Sequence, residues 1–171
     1  MKIFKDIFTE AELFSDSFKF KLVDDLYYEV DGKMVSRSGG SFDAFIGSNP
    51  SAEEQDEAID VNVEKGIDVV LNHSLIQIPF QKKDYMTYLK QYMKTLIERV
   101  EKEKGKEYAD KTKEKLNQFF SKTMLPNFKN YDLYVGENFE DKGMVALMNF
   151  REDGITPYFI FFKDGVEEEK F

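Results

Sequence analysis

Apolar side chains recur every three or four residues along 82–125, as on one buried face of an α-helix. The stripe runs from Tyr85 to Val100, is interrupted at Gly105, then resumes and stops at Pro126. A glycine between two such stripes indicates a tight connection. The sequence therefore predicts an antiparallel α-helical hairpin over 82–125.

Shorter segments on both sides of the hairpin show the apolar alternation or the short apolar runs of β-strands. The predicted strands are Lys2–Phe8, Phe18–Leu22, Leu26–Val30, Lys33–Ser36, Gly66–Leu71, Leu75–Phe80, Tyr131–Val135, Met144–Phe150 and Tyr158–Lys163. Strands before and after one helical insertion predict a single α+β domain over 1–171, with a sheet that both ends of the chain close.

Two connections carry local signals. Thr9 and Glu12 have the spacing of a capping box, which predicts one helical turn or a tight loop between the first two strands. Asp31-Gly32 is a two-residue turn signal that leads into the fourth strand.

Segment 38–64 has no sustained apolar periodicity. It is rich in Gly and Ser and contains seven Asp or Glu but no Lys or Arg, a local charge of −7. A stretch of this length and composition predicts a long, mobile acidic loop.

The net charge of −9 is distributed unevenly. Segment 82–122 has twelve Lys or Arg against seven Asp or Glu, a local +5, so the rest of the chain sums to −14. An acidic average argues against general nucleic-acid binding, whereas the separation favours electrostatic contacts with other proteins.

Composition excludes several classes of protein. The sequence has no Cys and one His, which rules out a disulfide dimer, a thiolate nucleophile and a Cys-ligated metal. The first residues are charged too early for a secretory signal, and the longest apolar run, Tyr158 to Phe162, is too short for a membrane span. We expect a cytoplasmic, monomeric protein.

Candidate chemistry is sparse. The single histidine, His73, has no carboxylate at a recognisable spacing and is interpreted as a surface or packing residue. The acids between Glu53 and Glu64 lack the ligand order of a calcium loop. Since Gly39-Gly40 opens no phosphate loop either, the residues predict no catalytic, cofactor or metal site.

Two long motifs carry a resemblance to a known family. Ile46–Glu53 resembles the first signature of the translationally controlled tumour protein family, and Phe128–Leu147 resembles the second. Gly32–Arg37, Arg151–Tyr158 and Phe161–Gly165 match in family order, so the chain is identified as a member. The signature residues are Ile46, Gly47, Asn49, Ser51, Glu53, Gly136, Glu137 and Gly143.

The resemblance implies a β-tent, with a mixed β-sheet core, a protruding helical hairpin and a mobile acidic loop. It also implies a cytosolic, chaperone-like regulatory protein that binds several partners and is linked to growth and survival. The resemblance further implies tubulin binding, weak calcium binding and non-classical secretion. A competing function is guanine-nucleotide exchange on a Rheb-type small GTPase.

Few functional residues carry over from the family. Its GTPase contact falls on Glu12, which the capping box with Thr9 explains equally well. Ser51, followed by Glu53 and Glu54, is a candidate phosphorylation site. Lys142 departs from the second signature and weakens any calcium site there. The family's microtubule region matches the basic hairpin, whose candidate contacts are Lys90, Lys94, Arg99, Lys102, Lys111 and Lys115.

Overall fold

The structure is a computed structural model that describes residues 1–38 and 63–170. The strands are β1 (Lys2–Asp6), β2 (Glu12–Ser15), β3 (Phe20–Val23), β4 (Tyr27–Asp31), β5 (Met34–Ser38), β6 (Val63–Ile67), β7 (Ile76–Ile78), β8 (Asp132–Val135), β9 (Ala146–Phe150), β10 (Pro157–Phe162) and β11 (Val166–Lys170). The helices are α1 (Asp68–His73), α2 (Lys82–Lys104) and α3 (Lys106–Phe119), followed by a π turn over Phe120–Met124 and 3-10 turns over Leu125–Asn130 and Lys163–Gly165.

The strands form three antiparallel sheets. The largest has the order β3-β4-β10-β9-β8-β7, a second has the order β11-β1-β2, and β5 pairs with β6. Lys2 lies opposite Lys170, so the two ends of the described chain close one sheet. This arrangement confirms the predicted α+β fold and refines the expected mixed sheet to an antiparallel one.

An aromatic stack joins the two larger sheets. The rings of Phe4 and Phe14 lie 4.3 Å apart, centroid to centroid, and Phe14 stacks on Phe161 at 4.8 Å. All three side chains are essentially inaccessible to solvent. Because large apolar rings dominate core energetics, this stack fixes the β1–β2 pair against the six-stranded sheet.

The hairpin is confirmed, and it is attached to the β-sheets at several points. Its buried face consists of Tyr85, Tyr88, Tyr92, Leu96 and Val100 on α2. Near the tip, Lys104 forms an ion pair with Asp164 at 2.9 Å. On α3, Lys115 donates to the main-chain oxygen of Asp24 at 3.2 Å. The expected protruding arm is therefore fastened to the body near its tip as well as at its base.

One local prediction was right in only one of its two alternatives, and another was wrong. The chain makes a tight turn between β1 and β2, as one alternative predicted, but β2 begins at Glu12, which faces Lys5 across the β1–β2 ladder, so the helical turn with its capping box is absent. Pairing with β1 outweighs the local helical signal. In Gly66–Leu71, which was expected to be a strand, β6 ends at Ile67 and α1 begins at Asp68.

The β-strands near the Asp31-Gly32 turn signal also differ from expectation. Asp31-Gly32 does not join two paired strands, because β5 pairs with β6 and the Gly32 amide donates to Pro157. Phe20 and Leu22 belong to the predicted strand Phe18–Leu22, whose alternation is typical of a half-buried strand, but they are 36% and 44% exposed on the edge strand β3. Strand β11 was not predicted.

The predicted acidic loop falls mainly outside the described residues. Its two ends, at Ser38 and at Val63–Glu64, belong to the paired strands β5 and β6, which narrows the expected 38–64 boundaries. In the described part of the chain, no helix has the length and apolar character needed to cross a membrane.

Candidate functional site

A buried carboxylate shapes the turn between β1 and β2. Asp6 is 2% exposed and accepts hydrogen bonds from the amides of Phe8 at 2.8 Å and Met144 at 2.7 Å. Burial raises the pKa of Asp6, and the amide hydrogen bonds oppose that shift. The carboxylate thus connects the turn before Glu12 to the segment that leads into β9.

Two signature glycines permit this close approach. A Cβ atom on Gly143 would lie 2.9 Å from the Asp6 carboxylate and 2.9 Å from the Thr9 methyl group. A Cβ atom on Gly136 would lie 2.9 Å from that of Ala11. Both glycines are buried. Close packing against the β1–β2 turn therefore accounts for glycine at these two positions of the second signature.

Glu12 lies at the edge of a polar depression that we call the Glu12 surface. Its volume is about 350 Å³. Three connections meet there: the β1–β2 turn, the end of α1, and the start of the loop after β8. The lining residues that define it are Glu10, Glu12, His73, Ser74, Glu137 and Asn138.

His73 is half-buried within the Glu12 surface and packs edge to face against Phe18, with centroids 5.8 Å apart. Burial lowers the pKa of His73, and the negative charge of Glu12 opposes that shift. The packing role expected for His73 fits this geometry. Its proximity to Glu12 was missed, because 61 residues separate the two and no local spacing signals the contact.

An open apolar groove runs along the outside of the helical hairpin. We define the hairpin groove by its apolar lining, and its volume is about 680 Å³. The apolar residues are Met86, Leu89, Met93, Ile97, Phe120 and Leu125. Lys90, Lys94 and Lys113 also line it, together with one acid, Glu98.

The six basic candidates of the hairpin do not form one patch. Lys90 and Arg99 are nine residues apart, which at about 100° per residue places them on opposite sides of α2. Arg99 pairs with Glu103 at 2.6 Å, and Lys111 pairs with Glu107 at 3.7 Å.

Lys115 is engaged with the Asp24 carbonyl group. Of the six candidates, Lys90, Lys94 and Lys102 form neither an ion pair nor a side-chain hydrogen bond within the described residues, and the first two line the hairpin groove. Lys113 completes the groove but was not among the predicted contacts. Its place in the sequence gave no signal beyond its charge.

The loop between Gly136 and Gly143 offers carboxylates at its surface, and Glu140 forms an ion pair with Lys142 at 3.4 Å. Among the described residues there is no group of three or more His, Asp or Glu side chains that could hold a metal ion. The ion pair also means that the Glu140 carboxylate is already engaged by Lys142.

The first signature lies outside the described residues. This applies to Ile46, Gly47, Asn49, Ser51 and Glu53. The phosphorylation candidate therefore stays a prediction from sequence.

These features define a β-sheet scaffold that carries a helical hairpin and presents two separate surfaces. A family model described as translationally controlled tumour protein matches residues 1–167, and the chain belongs to that family.

Relatives and solved structures agree with this assignment. A translationally-controlled tumor protein homolog from Lonomia obliqua is 47% identical over 146 residues, which cover 84% of this chain and 83% of that protein. The structure of p23fyp from Schizosaccharomyces pombe superposes with a TM-score of 0.81 at 44% identity, over the full length of both chains. The family structure from Caenorhabditis elegans gives 0.74 at 38% identity, over 100% of this chain and 99% of that one.

Proposed function

We propose that this protein is a cytoplasmic regulatory binding protein that acts through contacts with several partners and not by catalysing a chemical reaction. The observation that carries the proposal is the separation of the Glu12 surface from the hairpin groove on one scaffold. Each surface has a different chemistry, one polar with several carboxylates and one apolar with lysines. A scaffold of this kind can engage different partners at different faces.

Tubulin is the proposed partner of the hairpin. Lys90, Lys94 and Lys102 are exposed and form no ion pair within the described residues, so their charges are available to an acidic surface. Contacts between exposed charges weaken as salt screens them.

Co-pelleting with microtubules over a salt series tests this proposal. The affinity should fall steeply between low and physiological salt, and Lys90→Glu with Lys94→Glu should weaken it further. The matched control is Lys19→Glu with Lys33→Glu, which makes the same change in net charge away from the hairpin. An affinity that does not depend on salt contradicts an electrostatic contact.

The alternative is guanine-nucleotide exchange on a Rheb-type small GTPase through Glu12. The exposure of Glu12 at a polar depression, and not inside a helix cap, favours this second candidate. Release of a fluorescent nucleotide from the purified GTPase measures it. Glu12→Arg should abolish any acceleration, while Glu114→Arg on α3 should not, and a wild-type rate equal to intrinsic release excludes exchange activity.

Further expectations concern ions and modification. Since the described residues include no preformed ligand set, we propose only weak calcium binding, which calorimetry would contradict with a submicromolar dissociation constant. Phosphorylation of Ser51 would add negative charge to an already acidic segment. Phosphopeptide mass spectrometry on protein from growing cells tests that modification. Roles in growth and survival, and non-classical secretion, belong to the same proposal.

A further inference from the structure

The hairpin groove is an apolar surface that no other described element covers. Leu89, Met93 and Ile97 lie along one side of α2, at helical spacing, and are only partly buried. Met86 extends the row by one turn and is 41% exposed. An apolar row of this kind beside the core is typical of a groove that binds another helix.

The dimensions of the groove fit a short helix. From Met86 to Ile97 the rise along α2 is about 16 Å, or about three helical turns. A helix of that length presents apolar side chains at positions i, i+3 or i+4, and i+7 on one face. Two flexible methionine side chains, Met86 and Met93, allow the groove to adapt to different apolar anchors.

The charges around the groove select the chemistry of its occupant. Lys90 and Lys94 on α2 and Lys113 on α3 line the groove beside its apolar residues, and the acid that lines it is Glu98. An occupant with acids on both sides of an apolar stripe would meet these lysines, whereas a basic one would be repelled. We propose that the hairpin groove binds an acidic amphipathic helix of a partner protein.

This inference deepens the proposed function, because it rests on the hairpin as a partner-binding surface and names the partner's structure. It adds an apolar anchor to what the tubulin proposal ascribes to charge alone. The two ideas separate experimentally. Met86→Glu leaves Lys90, Lys94 and Lys102 in place, so it blocks the groove without removing the basic charges.

A synthetic helical peptide of about 18 residues, with leucines at i, i+3, i+4 and i+7 and glutamates beside them, is the probe. The full chain is labelled with ¹³C at the methionine methyl groups, and the peptide is titrated in. Met86 and Met93 report on the groove. Met1 and Met34, both exposed and outside it, are internal controls.

We expect the methyl signals of Met86 and Met93 to shift while those of Met1 and Met34 stay fixed. Met86→Glu should weaken binding of the peptide about tenfold. Replacing the glutamates of the peptide by lysines should weaken binding by a similar factor. The matched control variant is Met34→Glu, at another exposed methionine, which should bind as the wild type does.

Three results would overturn the inference. One is the absence of any groove shift at millimolar peptide. Another is equal binding of the glutamate and lysine peptides. The third is a wild-type dimer, seen by sedimentation and abolished by Met86→Glu, which would make a second copy of the chain the occupant. If microtubules still pellet the protein when the peptide does not bind, this inference fails while the tubulin proposal stands.

Discussion

Replacing Tyr88 with phenylalanine removes a buried hydroxyl group that connects the hairpin to the second signature. This hydroxyl donates to the carbonyl oxygen of Gly143 at 2.5 Å and accepts from the amide of Val145 at 3.1 Å. Both partners are buried. The change therefore leaves one carbonyl group and one N–H group without hydrogen bonds in the interior.

The expected cost follows from those two groups. A buried group left unsatisfied costs about 1–3 kcal/mol, and some relaxation is expected, so Tyr88→Phe should lower the free energy of unfolding by about 2–3 kcal/mol. In a chain of this size, that corresponds to a decrease in Tm of about 5–10 °C. Urea and thermal unfolding, followed by circular dichroism, measure both quantities.

Tyr92 provides the matched control one helical turn away. Its ring stacks on that of Tyr88 with centroids 5.6 Å apart, but its buried hydroxyl group has no hydrogen-bond partner among the described residues. Tyr92→Phe should therefore leave stability unchanged or raise it by up to about 1 kcal/mol. Equal destabilisation by the two substitutions would refute the reasoning, since the same atom is removed from the same helix.

Three further predictions concern the Glu12 surface and the packing against the β1–β2 turn. Because burial lowers the folded pKa of His73 below its ordinary 6.5, the unfolded state takes up the proton first. Stability should therefore fall as the pH drops through 6.5, by at most about 1.4 kcal/mol per pH unit, and His73→Gln should remove that dependence in urea titrations. Gly143→Ala should cost about 1–3 kcal/mol because its Cβ would press on Asp6, whereas Gly66→Ala meets only ordinary contacts and should be near neutral; equal effects contradict the close approach. Glu12→Arg, at an exposed position, should leave the Tm unchanged by differential scanning fluorimetry, and a marked loss of stability would assign Glu12 a structural role.

The hairpin could be predicted from sequence because its signal is local and long. More than forty residues keep one apolar stripe, and Gly105 and Pro126 mark its interruption and end. The strands Tyr131–Val135 and Tyr158–Lys163 were identified for a similar reason, through compact apolar runs. The ends of the observed strands β8 and β10 differ from these predictions by at most one residue.

Strands β2 and β11 were not predicted, because each is defined by its pairing with β1 and not by a strand pattern of its own. Val166–Lys170 contains three consecutive glutamates, which look like a solvated tail, yet Lys5 and Glu169 form an ion pair at 2.5 Å across the β1–β11 ladder. Strand β2 likewise exists because β1 lies beside it. Helix α1 contains a short apolar run whose length does not distinguish a strand from a helix.

The candidate site shows the same limit. Glu12 was selected through the family resemblance, but its neighbours His73 and Glu137 come from remote parts of the chain. The sequence does not single out Asp6, because only the fold reveals that it is buried against the Met144 amide. Among the basic residues, charge alone could not separate Lys90 and Lys94, at the groove, from Arg99, which is paired on the other side of α2.

The central claim, that one scaffold binds different partners at two separate surfaces, is tested most directly by a crossed binding experiment. Purified tubulin and a purified Rheb-type GTPase are each titrated against wild type, Glu12→Arg, and the double variant Lys90→Glu with Lys94→Glu, at physiological salt. The account predicts that only the double variant loses tubulin and that only Glu12→Arg loses the GTPase. If both partners bind all three proteins equally, neither surface is a binding site and the account is contradicted.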